Sequence, residues 1–222
     1  MKSQDSKVED IVNNSHNIDS LLADMDAIFK LFLFARSLTP FIPEQKWINA
    51  ETKDLNLIET APLYQSYGFD ASIYLRDSSM QYSDWLSTGD WINRSFFVRI
   101  YAILDSLGLV KYMDSILLNT ADRERCVWDL HKNLRHVLVH STKYTKILKN
   151  QTKGNYRDAL RLQKKLYPLL CETSDGINLD VAKFIIPFYA EFRDVLINHL
   201  SEFDSFSCDK NGNFQGIINL KS

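Results

Sequence analysis

The chain has 222 residues, with 26 Lys and Arg against 28 Asp and Glu, for a formal net charge of −2. Its 13 Phe, 10 Tyr and 4 Trp supply ample burial area and exclude a disordered chain. Only 7 Gly and 5 Pro are present, too few for an all-β domain or for the phosphate loops of a Gly-rich nucleotide-binding fold.

Residues 1–16 are polar, carry both charge signs and lack an apolar signal core, so they read as a flexible leader. A first helix starts near Asn17 or Asp19 and runs to about Ser37. Its apolar residues Ile18, Leu21, Leu22, Met25, Ile28, Phe29, Phe32 and Leu33 recur at steps of three and four. Pro40 and Pro43 stop it. Residues 44–90 show no long period, and short helices joined by irregular loops are expected there. Asp90 is a candidate N-cap for a helix over about Trp91–Met113 that Gly108 kinks or ends. Further helices are expected over about Thr120–His140, Tyr156–Cys171 and Leu179–Phe203, with Pro187 kinking or dividing the last. The tail alternates apolar and polar residues around Asn211-Gly212, which is a hairpin signal. The expected organisation is all-α. A single helical domain covers 17–203, and a small β-hairpin or tail covers 204–222.

Cys126, Cys171 and Cys208 are odd in number and far apart, which argues against a disulfide framework or a thiolate zinc site. No stretch reaches the roughly 18–20 apolar residues that a bilayer span needs. A cytoplasmic protein with no membrane partner is expected.

The segment Trp128–His140 carries the chemistry. On a helical wheel Leu130, Leu134, Val137 and Leu138 form one apolar stripe, while Asp129, Lys132, Asn133, His136 and His140 lie opposite. Arg135 sits at the border. His136 and His140 are one turn apart. They are not on the apolar stripe, so packing in the core does not explain them. They are either solvated polar residues or parts of a site. No HExxH spacing or acidic triplet accompanies them, so no metal is expected. Walker-type and GxSxG patterns are absent as well. Asn93, Arg94 and Asp105 read as capping or solvated polar residues, or as a polar group that orients His140 from a neighbouring helix, and His16, His131 and His199 have no partner identifiable in the sequence.

Arg135-x4-His140, with the polar His136 directly after the Arg and an apolar triplet before the His, resembles the R-x(4–6)-H motif of HEPN domains. The resemblance covers about residues 90–200 and does not extend to 40–90 or to the C-terminal hairpin. It implies a small helical bundle that dimerises. It also implies a metal-independent endoribonuclease, without cofactor, whose motifs from two protomers share one cleft. Many such proteins act as toxins or in phage defence, often beside an antitoxin, while others lack catalysis and serve as binding modules. Carried onto this chain, Arg135 would stabilise the phosphate, His140 would be the principal acid/base, and His136 would shape or assist the site.

The chemistry suits these residue types. Imidazole titrates near neutrality and can deprotonate a 2′-hydroxyl or protonate a leaving 5′-oxygen. Arg supplies a fixed, bidentate cation for the developing phosphorane charge. An i, i+5 pair diverges by about 140° on a helix, and a dimer with two copies of each residue relieves that geometry.

The near-neutral total conceals a segregated distribution. Residues 132–165 hold ten Lys and Arg against Asp158 alone, a charge of +9, which leaves −11 on the rest of the chain. Lys132, Asn133, Lys143, Tyr144, Lys146 and Lys149 are the candidate substrate-binding residues, with Tyr144, Tyr156 and Tyr167 available to stack on bases. Three readings of this segment stand: an RNA-binding surface, a surface for an acidic partner such as an antitoxin or regulatory protein, and a solvated basic face.

Overall fold

The structure is a computed structural model that describes residues 15–39, 57–59, 62–69, 72–74, 82–119, 122–139, 153–170 and 176–218. The elements run α1 (Ile18–Ser37), β1 (Leu57–Glu59), α2 (Pro62–Gln65), β2 (Ser72–Tyr74), α3 (Tyr82–Ser106), α4 (Leu109–Ile116), α5 (Asp122–Val139), α6 (Lys153–Leu166), α7 (Ile186–Leu200), β3 (Ser205–Cys208) and β4 (Phe214–Ile217). The chain is mostly helical with a small antiparallel hairpin near its C-terminus, as expected. Two compact units divide it, with boundaries after Met25 and after Phe97, inside α1 and α3.

In the unit Asp26–Phe97, the core is aromatic. Phe32 lies 4.8 Å from Phe96 between ring centroids, and Phe29 and Phe97 join them. Sequence and structure part company over the start of α3. The helix begins at Tyr82, so Asp90 is an interior residue and not its N-cap. Gly89 lies inside the helix, and the buried Arg36 guanidinium packs where a Cβ at Gly89 would stand. Asp90 forms an ion pair with Arg94 one turn on, at 2.7 Å. Burial raises the pKa of the Asp90 carboxyl, and Arg94 opposes that shift. The expectation of short helices in the preceding stretch accounts for α2 but missed β1 and β2. These pair antiparallel with Leu57 opposite Tyr74. Three-residue strands are too short to show a period.

The unit formed by residues up to Met25 and from Val98 onward carries the other helices. Asn17 caps α1: its Oδ1 accepts from Ser20 N at 2.8 Å, while Ser20 Oγ accepts from Asn17 N at 3.0 Å. The expected leader lies outside the described residues up to residue 14. Its end, at His16, exchanges backbone hydrogen bonds of 2.8 and 2.6 Å with Phe206. α5 packs against α6 and α7. Its expected apolar stripe is buried throughout, from Leu130 and Leu134 to Val137 and Leu138.

Pro187 divides the fifth predicted helix. The chain forms a π-helical turn, Val181–Ile185, before α7, and Asp180 caps that turn by accepting from Lys183 N at 2.7 Å. Proline has no N–H to offer and its ring crowds the carbonyl four residues back, so the wider turn takes up the mismatch. The hairpin forms where expected, although Asn211-Gly212 belongs to a five-residue loop between Cys208 and Phe214. The Asp209 carboxylate organises that loop by accepting from the backbone N–H groups of Asn211 and Asn213. An isolated hairpin is marginal in water. Here Phe214 stacks on Tyr112 of α4 at 4.2 Å, with Phe203 and Phe206 against it.

Gly108 ends α3 as anticipated, with φ of +68°. A Cβ there would stand 2.7 Å from Phe214 N and 2.9 Å from Asn213 C, both hairpin backbone. Gly212 has a similar φ of +74°, yet only Lys111 Nζ lies near, at 3.9 Å. Gly108→Ala is therefore expected to cost about 2 kcal/mol or more in chemical denaturation, and Gly212→Ala about 1 kcal/mol. Equal costs at the two sites would show that the hairpin does not press on Gly108.

Candidate functional site

Helix α5 turns two different faces to its surroundings. On the buried face, Trp128 lies parallel to Phe192 of α7 with centroids 5.6 Å apart, and His131 lies 4.3 Å from the same ring. Only 1 % of His131 is exposed. No partner for His131 is identifiable from sequence, and the structure makes it a core residue among Tyr101, Phe188 and Phe192.

Asn133 and His136 on the other face, with Lys132 and Arg135 at its borders, line a cleft of about 300 Å³, together with Tyr101, Asp129 and Asn155. That volume is at the small end of ligand sites. His140, Lys143, Tyr144, Lys146 and Lys149 lie outside the described residues. Tyr101 and Asn155 went unnoticed in the sequence. They reach the cleft from α3 and α6, and nothing in a single-helix pattern marks a residue that approaches from another helix.

The cations of α5 differ in what holds them. Arg123 is paired with Glu191 at 2.7 Å and Arg125 with Asp129 at 2.8 Å. Lys132 donates to both carboxylate oxygens of Asp114, at 2.6 and 2.7 Å. Asp114 also accepts from Trp128 Nε1 at 2.7 Å. Lys132 is thus tied into a structural network, which weighs against its expected role as a substrate ligand. Asn133 donates back to the Asp129 carbonyl at 2.8 Å. Arg135 has no carboxylate partner among the described residues. Its guanidinium carbon instead lies 4.6 Å from the centroid of the Tyr101 ring. Contact with a ring face leaves all five N–H donors of an arginine available.

Among the described residues, the α6 part of the basic segment turns its cations elsewhere. On α6, Ala159, Leu162, Gln163 and Leu166 are buried, while Arg157, Arg161 and Lys164 are exposed on the opposite face. Lys165 donates to Cys126 Sγ at 3.3 Å. Tyr167 packs edge-on against Phe184 at 5.2 Å. Burial, reinforced by Glu191, pushes its phenol pKa well up.

A second cavity of about 190 Å³ is lined by Arg123, Glu124, Glu191 and Asp194, among others. Arg123 pairs there with Glu191. Glu124 accepts from Asn198 at 2.9 Å and contacts His199 Nε2 at 2.9 Å. The hydrogen bonds from Asn198 and then His199 lower the Glu124 carboxyl below its usual value. Among the described residues no group of three or more His, Cys, Asp or Glu is arranged to hold a metal ion. Nor is any described helix long and apolar enough to cross a membrane.

Comparison of the chain with family models, with curated proteins and with solved structures finds no match.

The Glu124 clip has a pH signature. A carboxyl whose folded pKa is depressed stabilises the fold above its unfolded value, near 4.5, and loses that contribution as pH falls through the folded pKa. Both partners are partly exposed, so the gain is below about 1 kcal/mol. The stability difference between wild type and Glu124→Gln should be present at pH 6 and shrink progressively as the pH falls below 4.5. A difference that stays constant across this range would show that the carboxylate charge is not what the clip uses.

Proposed function

We propose that this chain is a metal-independent endoribonuclease of HEPN type, cleaving RNA at a composite site of a homodimer. The observation that carries the reading is Arg135. It is the one cation of α5 that no described carboxylate neutralises, and it stands in a cleft beside His136. Such an arginine can present a planar pair of donors to a phosphodiester oxygen pair.

In the proposed reaction, His140 acts as the acid/base. One imidazole takes the proton of the 2′-hydroxyl, the 2′-oxygen attacks phosphorus, and the 5′-oxygen leaves with a proton supplied by an imidazolium. Arg135 balances the charge that develops on the phosphorane. His136 shapes the cleft wall. Two protomers supply the second Arg–His pair, because on the helix that the sequence predicts over 120–140 residues five apart point about 140° away from each other. The basic segment, +9 over residues 132–165, would draw in the RNA backbone electrostatically. A role as a toxin or in phage defence, under an antitoxin or other regulatory protein, belongs to the same proposal.

The test is cleavage of single-stranded RNA by the purified protein in excess chelator. Arg135→Ala and His140→Ala are each expected to reduce cleavage by roughly 10²- to 10⁴-fold while leaving the melting temperature near that of wild type. Unchanged cleavage in both variants would overturn the assignment. Salt-sensitive RNA binding without cleavage in the wild type would favour a non-catalytic RNA-binding module.

A further inference from the structure

An arginine that must meet a phosphate has to be held in place without losing its donors. An ion pair with a carboxylate would hold it and occupy those donors at once. The ring of Tyr101 does the first without the second, since its face attracts the guanidinium through the π quadrupole and takes no N–H. The geometry supports this division of labour. The Arg135 guanidinium carbon stands 4.6 Å from the Tyr101 centroid. Both residues line the same cleft.

The ring is itself backed by the core. His131, one turn before Arg135 on α5, has its ring centroid 6.0 Å from that of Tyr101 and lies 4.3 Å from Phe192. Tyr101 is thus half-buried between packed rings on one side and the cleft on the other. Its phenol pKa is raised by burial and then by Asp105.

We infer that Tyr101 is the positioning residue for Arg135, setting the guanidinium in the cleft with its donors open to a phosphodiester. This rests on the ribonuclease reading for the identity of the ligand, while the contact itself stands on the geometry. The hydroxyl plays no part in it, so Tyr101→Phe should behave like wild type. Tyr101→Leu and Tyr101→Met remove the ring, and two such variants are used so that one failing to fold leaves the other.

Two readouts separate the contact from its use. The first is the NMR resonance of the Arg135 side-chain Nε–H, without RNA. It should be shifted upfield by the ring in wild type and Tyr101→Phe, and should lose that shift in Tyr101→Leu or Tyr101→Met. The second is binding and cleavage of a mixed-sequence single-stranded RNA oligonucleotide. It should weaken by roughly 5- to 30-fold in the ringless variants and recover in Tyr101→Phe. In an Arg135→Ala background, removing the ring should change nothing further, because the two residues act as one unit. An unshifted Arg135 resonance in wild type, or equal losses in the presence and absence of Arg135, would overturn the positioning role. A wild-type chain that shows the resonance shift yet neither binds nor cleaves RNA would overturn the ribonuclease reading and Tyr101's role toward a phosphodiester with it, while the contact would stand.

Discussion

The rotation of α5 about its own axis is what the candidate site depends on. That rotation is set by ring packing: Trp128 lies within 5° of parallel to Phe192, and His131 fits against the same ring at 4.3 Å. Both side chains are essentially without solvent exposure. Burying large rings in fixed geometry is costly to undo. Once Trp128 and His131 are committed to α7, residues 129, 133 and 136 lie more than 100° from the direction midway between them, toward the cleft, with Lys132 and Arg135 at its borders. The register of the site therefore follows from the core.

The same packing settles the charges. A buried indole N–H needs an acceptor, and Trp128 finds the Asp114 carboxylate at 2.7 Å. A carboxylate held there draws in Lys132, whose ammonium meets both of its oxygens. Arg125 and Asp129 close a second pair on the same helix. Lys132, which the bare sequence offers as a ligand, is used up in this way. Arg135 is left, and a ring holds it in place of a carboxylate. The chain's −2 total and its +9 segment both describe this helix poorly. What separates a structural cation from an available one is the partner each side chain finds.

Much of the fold was legible in the sequence because long amphipathic helices repeat their signal many times. The spans of α1 and α5, the stop at Gly108, the break at Pro187 and the C-terminal hairpin all follow from period, capping and turn chemistry. The errors came where a contact distant in sequence overrides a local rule. Gly89 and Asp90 read as a helix start, yet Arg36 packs over the one and Arg94 pairs with the other. The pair β1 and β2 is too short to show alternation. Within the site, the wheel grouped Lys132, Asn133 and His136 on one face, and they do line one cleft. It did not indicate that Asp114 would take Lys132 or that Tyr101 would take Arg135, since both partners come from other helices. His131 and His199 had no partners in sequence for the same reason: one is enclosed by rings from α3 and α7, and the other meets Glu124 of α5.

On the proposed reading Arg135 is open to a phosphodiester, whereas Lys132 is already neutralised by Asp114. The salt dependence of RNA binding separates them most directly, because each cation that displaces counterions from the backbone adds about 0.7 to the slope of log K against log salt for a single strand. Titrations of a single-stranded RNA oligonucleotide across a range of salt should show that slope reduced by about 0.7 in Arg135→Ala and unchanged in Lys132→Ala. Equal reductions in the two variants, or a reduction at Lys132 alone, would contradict the account.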